Sequence, residues 1–286
     1  MWYKTSKIKP TNDKRQRTTV MKVITVINAK GGCGKSTIAI NLAAGLASKG
    51  FRTLLMDMDP QAQVTQWLRS GDGINSEGTI VLPMAGIALL SDVIQETDVD
   101  NLSFIASAET LEELGRRMTD DSEYYMLLSK LLEEITAKYD FVVIDSPNQI
   151  SPIMENAIVP ADLFIVPFES TKAVRSYANV YKLIQNLRND EPFTLHVLSN
   201  LSRLEGLRKR VIELMNSEGI PRAKTEIRSC GWLAQVDEHM GSIFSYRPKS
   251  NGAKDIHTLL LEVITIFHPL TAICPKAEVN SNGTSS

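Results

Sequence analysis

The stretch Ile27–Thr37, INAKGGCGKST, limits what this chain can become more than any other segment of it. Gly31, Gly32 and Gly34 lie between an apolar run and a Lys-Ser pair. Successive backbone N–H groups can turn toward an anion where glycines relax the backbone. A helix start adds unpaired N–H groups and a dipole that favours negative charge. The stretch therefore reads as a phosphate-binding loop between a strand and a helix. It departs from the usual spacing G-x-x-x-x-G-K-[ST], which wants a glycine at position 29. This chain has Ala29 there, followed by a second lysine, Lys30.

Within such a loop Lys35 is expected to reach the β- and γ-phosphates, the Ser36 hydroxyl to ligate Mg²⁺, and Thr37 to donate to the α-phosphate. Two acidic segments complete the expectation. LLMDMDPQ places Asp57 and Asp59 at a strand end, where ligands collect in open parallel sheets. FVVIDSPN places Asp145 after four apolar residues, the form of a carboxylate that holds the Mg²⁺ shell. Cys33 has two readings: a redox-sensitive thiol whose pKa the helix start lowers, or a small filler in the loop.

Apolar runs alternate with helical periods along the chain. Strands are expected over 23–27, 52–57, 102–106, 141–145, 163–167 and 193–200, and helices over 36–48, 173–188, 204–217 and 254–267. The apolar residues Leu127, Leu128, Leu131, Leu132 and Ile135 add another helical segment. The alternation predicts a doubly wound α/β domain with a mostly parallel sheet and helices on both faces. A single domain is expected over 21–268, followed from Pro269 by a polar, disordered tail. The leader 1–20 carries Lys4, Lys7, Lys9, Lys14, Arg15 and Arg17 against one acid, Asp13. It reads either as an arm for nucleic acid or as a disordered extension ahead of a natural start at Met21.

Composition narrows the function classes. The 286 residues are 43% hydrophobic, and 31 basic against 33 acidic side chains leave a net charge of −2. Any nucleic-acid surface must then be a local patch. Cys33, Cys230 and Cys274 stand far apart, so neither a zinc site nor a disulfide framework is suggested. No apolar run is long enough to span a membrane, and no signal-peptide core follows the leader. The expected compartment is the cytoplasm.

KGGCGKST, DMDPQAQ and FVVIDSPN together resemble the deviant Walker A, A′ and Walker B motifs of the ParA/MinD superfamily of P-loop ATPases. The likeness spans about 21–267, includes NAIVPADLFIVP and GSIFSYRPKSNGAKD, and favours the ParA/Soj partition branch over MinD. The resemblance implies ATP and Mg²⁺ as cofactors and an ATP-sandwich homodimer in which Lys30 reaches the partner's phosphates. It implies that Gly31, Gly32, Cys33, Gly34, Lys35, Ser36, Thr37 and Asn200 bind nucleotide. Lys30, Lys35, Asp57 and Asp59 would be the catalytic set, with Asp59 positioning water. Ser36, Asp57 and Asp145 would serve the metal. Slow hydrolysis under a ParB-like or adaptor protein follows, with segregation of a plasmid, chromosome or other cargo.

The family binds DNA without sequence preference through basic residues of its C-terminal half. Here Arg203, Arg208, Lys209, Arg210, Arg222, Lys224 and Arg228 are the candidates, with Glu205, Glu213, Glu218 and Glu226 interspersed. The alternative for these residues is an ordinary solvated helix face. Where partition ATPases read like PRNVRLSEAPS, this chain has IRSCGWLAQVDEH, so the family's DNA-contacting arginine has no clear match beyond Arg228. Membrane anchoring of the MinD kind is disfavoured, because Leu259, Leu260, Leu261, Val263, Ile264, Ile266 and Phe267 form a core-like pattern. A MinD-like membrane-matrix ATPase and a conjugation-accessory or metabolic ATPase remain as alternatives.

Overall fold

The computed structural model describes residues 20–69, 78–118, 122–201, 205–235 and 241–268. Arg203, Cys274, the tail 269–286 and all of the leader except Val20 lie outside the described residues. Eight strands form one sheet: β1 (Lys22–Val26), β2 (Thr53–Asp57), β3 (Gln95–Glu96), β4 (Leu102–Ile105), β5 (Phe141–Asp145), β6 (Leu163–Phe168), β7 (Phe193–Leu201) and β8 (Glu226–Arg228). Their spatial order is β3-β4-β2-β5-β1-β6-β7-β8. All neighbours are parallel except β3, which runs antiparallel to β4 at the edge.

The helices are α1 (Lys35–Ser48), α2 (Gln63–Arg69), α3 (Val81–Met84), α4 (Thr110–Met118), α5 (Leu127–Glu133), α6 (Pro152–Ile158), α7 (Thr171–Leu187), α8 (Glu205–Ser217), α9 (Ile243–Tyr246) and α10 (Asn251–Phe267). On one face of the sheet, Ile38, Leu42 and Leu46 of α1 and Ile256, Leu259 and Val263 of α10 pack on Ile24, Leu55 and Val143. On the other, Leu128 and Leu132 of α5 and Ile153 of α6 pack on Leu54, Met56 and Val142, while Val174 and Val180 of α7 and Val211 and Met215 of α8 pack on Phe164 and Leu198. Period-2 alternation in the strands sends neighbouring residues to opposite cores, which is why fully apolar runs such as FVVID are buried on both sides. The doubly wound, mostly parallel architecture is therefore observed.

Strand order reverses at β1, which lies between β5 and β6 although both follow it late in the chain. Such a switch point opens a crevice at the strands' C-terminal ends. The loop after β1 rises from that point. Gly32 (φ 75°) and Gly34 (φ 96°) hold left-handed conformations there, which side-chain-bearing residues adopt at a cost. Gly34 is the cap of α1 and offers no side chain to the helix's first N–H groups. A helix start without a protein cap, at a switch point, is prepared for an anion.

Candidate functional site

The crevice is a cleft of about 280 Å³ whose lining includes Gly31, Gly32, Gly34, Lys35, Ser36, Thr37, Asp59 and Asn200. Arg228 and Cys230, from the far end of the domain, close another side of it. Two buried side chains fix the loop. Asn28 accepts from the Lys30 N–H at 3.1 Å and donates to the carbonyls of Pro167 (3.0 Å) and Ala173 (3.3 Å). Ser199 of β7 donates its hydroxyl to the Cys33 carbonyl at 2.7 Å.

The two lysines occupy different settings. Lys35 is buried at 6% exposure, and its ammonium lies 3.5 Å from the Lys30 carbonyl. Lys30 is more open, with its side chain 38% exposed. It folds back on its own subunit, donating to the Gly31 carbonyl and standing 3.9 Å from Glu169. Glu169 keeps one carboxylate oxygen on Ser170 at 2.9 Å, and its other oxygen is buried without a hydrogen bond.

The three acids also separate. Asp57 is fully buried and accepts from the Asp59 N–H (3.0 Å), the Thr65 N–H (2.8 Å) and the Thr65 hydroxyl (2.7 Å). Thr65 in turn accepts from the Ser107 N–H at 2.8 Å. Burial pushes the Asp57 carboxyl up to about 7, against the lowering effect of those donors. Asp59 lines the cleft and accepts from the Gln61 N–H at 2.9 Å; burial raises its pKa, while that N–H and nearby Lys35 lower it. Asp145 pairs in register with both Val26 and Asp57 at the strand ends. It is fully buried, and neither of its carboxylate oxygens has a hydrogen bond of ordinary geometry. Burial first, and then the charge of Asp57, raise its pKa well above the carboxylate range, while Lys35 and the neighbouring Ser36 hydroxyl favour its charged form.

A buried carboxylate with two orphaned oxygens beside a loop serine could contribute to the shell of a hard divalent cation. Among the described residues no three His, Cys, Asp or Glu side chains form a metal cage.

At Cys33 the two readings separate. Its thiol is fully buried, donates to the Lys30 carbonyl at 3.1 Å, and has its pKa raised to about 11 by burial. The helix start does not produce a reactive thiolate here; the residue is a filler.

The basic residues of α8 and β8 do not present one free patch. Arg208 forks onto Glu226, and Arg222 also reaches Glu226, at 3.6 Å. Lys209 lies 3.8 Å from Glu213. Arg228 forks onto Asp255, which raises its pKa, and its backbone N–H donates to the same carboxylate at 3.0 Å. Among the described residues no ion pair holds Arg210 or Lys224. Trp232 is pinned by the Arg247 guanidinium 4.0 Å above its ring and by the Tyr246 hydroxyl on its carbonyl. In α10, Leu259, Leu260 and Val263 are core, as expected, while Leu261 is exposed. No helix among the described residues is long and apolar enough to cross a membrane.

Sequence reasoning overlooked Asn28, Ser199 and Glu169, the residues that hold the loop and Lys30. Their roles depend on contacts across more than a hundred residues, and no local signal announces them.

Comparison with known proteins places this geometry. A family model described as an AAA domain matches residues 21–197. The sporulation initiation inhibitor protein Soj of Bacillus subtilis (strain 168) is 30% identical over 251 residues, covering 85% of this chain and 98% of Soj. A plasmid partition protein from Borrelia burgdorferi superposes with a TM-score of 0.62 at 25% identity, covering 77% of this chain and 96% of that one. The septum site-determining protein MinD of Pyrococcus horikoshii, solved with Mg-ADP, gives 0.72 at 22% identity, covering 87% and 98%, a likeness of fold.

Proposed function

The chain belongs to the ParA/MinD superfamily of P-loop ATPases, close to the ParA/Soj branch, and from that membership we propose that it is a slow, Mg²⁺-dependent ATPase that positions cargo as an ATP-bound homodimer. The observation that carries the reading is the convergence of Lys35, Ser36 and Asp59 on one cleft, with Asp145 buried and orphaned near Lys35 and Ser36, and Lys30 loosely held in the same loop.

The proposed roles are these. Backbone N–H groups of the loop and the start of α1 face the phosphates, and Lys35 neutralises the β- and γ-oxygens. Ser36 and Asp145 would hold Mg²⁺, which when bound spreads the charge that develops on the transferred phosphoryl group. Asp59 orients the attacking water from the cleft. Asp57 would help organise the Mg²⁺ environment, and it braces the segment after β2 through Asp59 and Thr65. Cys33 and Asn200 contribute through the backbone and the cleft wall, Asn200 in a left-handed conformation at φ 47°. Lys30 leaves Gly31 and Glu169 and crosses to the partner's phosphates, so dimerisation completes the site. Few groups press on the transition state, and turnover on the order of 10⁻³ s⁻¹ corresponds to a barrier of roughly 21 kcal/mol. A ParB-like or adaptor protein would accelerate it.

DNA would be the matrix, bound without sequence preference in the cytoplasm and on the nucleoid. Among the described candidates, Arg210 and Lys224 are the cations that no ion pair holds, and they would contact phosphate. Two contacts per subunit give a dimer log–log salt slope of about −3.6. The pairing of Arg208, Arg222 and Arg228 favours a second reading, an accessory or metabolic ATPase of the same superfamily that needs no DNA.

Size-exclusion with ATP and DNA co-sedimentation test both. Wild-type protein should dimerise with ATP and sediment with DNA. Lys30→Ala should bind ATP yet stay monomeric. An intact Lys30→Ala dimer with unchanged turnover would refute the trans lysine. Absence of salt-sensitive sedimentation by the wild-type dimer would select the second reading.

A further inference from the structure

Helix α7 has two faces of opposite chemistry. Ala173, Val174, Tyr177, Val180 and Ile184 are buried in the core it shares with α8. Lys172, Arg175, Asn179, Lys182 and Asn186 are all exposed. They recur at alternating steps of three and four residues, which sets them in one line along a helix. Ser170 caps α7 by accepting from the Ala173 N–H at 3.3 Å, so the line starts on a fixed turn.

That line carries one sign of charge. The 17 residues of α7 include no Asp or Glu. Among the described residues no ion pair holds Lys172, Arg175 or Lys182. The nearest acid on each side of the helix is engaged elsewhere: Glu169 by Ser170 and Lys30, and Asp190 by Arg188. On α8, by contrast, Arg208 and Lys209 are taken up by Glu226 and Glu213. Unpaired like charges one turn apart repel each other, and a polyanion laid along them removes that repulsion.

Strands β6, β7 and β8 are parallel, so α7 and α8 both run back along one face of the sheet from the strands' C-terminal ends. The first turns of the two helices, with Lys172 and Arg175 on one and Arg210 on the other, therefore lie toward the nucleotide end of the molecule. Lys172 also follows closely on Glu169, the acid beside Lys30, so two subunits that meet over Lys30 would bring two such lines together. The line holds no apolar side chain, whereas a protein interface is built round an apolar centre. Cations interspersed with the amide donors of Asn179 and Asn186 suit phosphate and sugar oxygens, and such contacts carry no sequence information.

We propose that the exposed line of α7 is the main DNA-backbone contact of this protein, with Lys172, Arg175 and Lys182 each neutralising one duplex phosphate. The proposal rests on the reading of the chain as an ATP dimer on a DNA matrix, and it moves the principal contact from α8 and β8 to α7.

Fluorescence anisotropy of the ATP-bound full chain on two duplexes of unrelated sequence, read across a series of KCl concentrations, tests it. Wild type should give a log–log slope of roughly −9 on both, from five contacts per subunit, where Arg210 and Lys224 alone give about −3.6. Lys172→Gln with Arg175→Gln and Lys182→Gln should flatten the slope by about 5.4 and weaken binding about 100-fold at low salt. Its ATP dimer, read by size-exclusion, should be unchanged, since none of the three lines the nucleotide cleft. Arg116→Gln with Arg117→Gln and Lys130→Gln removes the same charge from α4 and α5 and should leave the slope as it was; an equal flattening there would reduce the effect to net charge and overturn the proposal. A wild-type slope near −3.6 that the α7 variant does not alter would overturn the proposal and spare the matrix reading, while a wild-type ATP dimer that binds no DNA would overturn both. Poly-L-glutamate carries the remaining alternative: its capture by wild type but not by the α7 variant, with equal DNA slopes in the two, would give the line to an acidic protein and overturn the proposal.

Discussion

Lys35 and Arg228 both line the nucleotide cleft and carry the same charge, yet the protein treats them oppositely. Lys35 is buried with a carbonyl 3.5 Å away as its hydrogen-bond partner. Arg228 is largely exposed and forked onto Asp255. The same contrast holds for their regions. Around the β1–α1 loop, buried polar groups are left incompletely matched: Asp145, at the neighbouring end of β5, has two orphaned oxygens, and the first N–H groups of α1 have no side-chain cap. Along α8 and β8, Glu226, Glu213 and Asp255 absorb the basic side chains. A charge taken out of water without a partner costs several kcal/mol, so a fold retains one where a ligand will match it. A charge already paired at the surface contributes about 1 kcal/mol or less, and says little about ligands.

Four experiments can break or sharpen that contrast. The largest effect is expected at Lys35. Lys35→Ala should weaken ATP binding about 1,000-fold, because the phosphate charge then stays uncompensated in a buried site. Fluorescent-nucleotide titration measures it, and near-normal affinity would mean that incomplete pairing is no sign of a ligand.

Next comes the division between the two acids. Asp59→Ala should lower single-turnover hydrolysis about 100-fold with ATP affinity little changed. Asp57→Ala should instead lower the thermal midpoint, since three internal hydrogen bonds are lost. A stable Asp57→Ala protein that traps an ATP dimer would exchange their roles.

On the basic side, Arg210→Ala should flatten the DNA salt slope by about 1.8, one contact per subunit of the dimer. Arg208→Ala should change it little, because Arg208 already serves Glu226. Equal effects would show that these ion pairs open on DNA and that the contrast is too sharply drawn.

The smallest effect tests a neutral member of the unpartnered class, His196, whose Nε2 is buried without a hydrogen bond. Burial holds its folded-state pKa near 4, below the unfolded value of 6.5. The unfolded chain therefore binds the proton first as pH falls. The stabilisation is complete above about 6.5 and is lost as pH falls through 4. Between pH 7 and 6 the loss is about 0.7 kcal/mol. Chemical denaturation of wild type and His196→Phe should differ in slope by that amount over the interval.

The half of the site that depends on local order was readable in advance. An apolar run, glycines and a helix start mark β1, the loop and α1, and four apolar residues before Asp145 mark β5. The unread half depends on distance. Glu226 reaches Arg208 across 18 residues and Asp255 reaches Arg228 across 27, with nothing in either neighbourhood to announce it. Strand β8 escaped because only Ile227 of its three residues is buried. Helix α6 was legible but overlooked: Ser151 caps it through Met154 N–H and Pro152 opens it, a start signal that physical reasoning recognises. At Cys33 two effects oppose, and burial outweighs the helix start.

The central position of β1 also has a consequence for biosynthesis. Lys22 pairs with Phe141 and Ile24 with Leu163, so β1 leaves the ribosome well before the neighbours that enclose it. At roughly 5–20 residues per second the wait is about 7–30 s. Throughout it, a sticky apolar strand and a glycine-rich loop stay unshaped, beyond the help of any nucleotide, and exposed to aggregation and to chaperones. Nascent chains halted before β6 should therefore be protease-sensitive in the loop, and those halted after β7 has emerged should be the first in which it is protected.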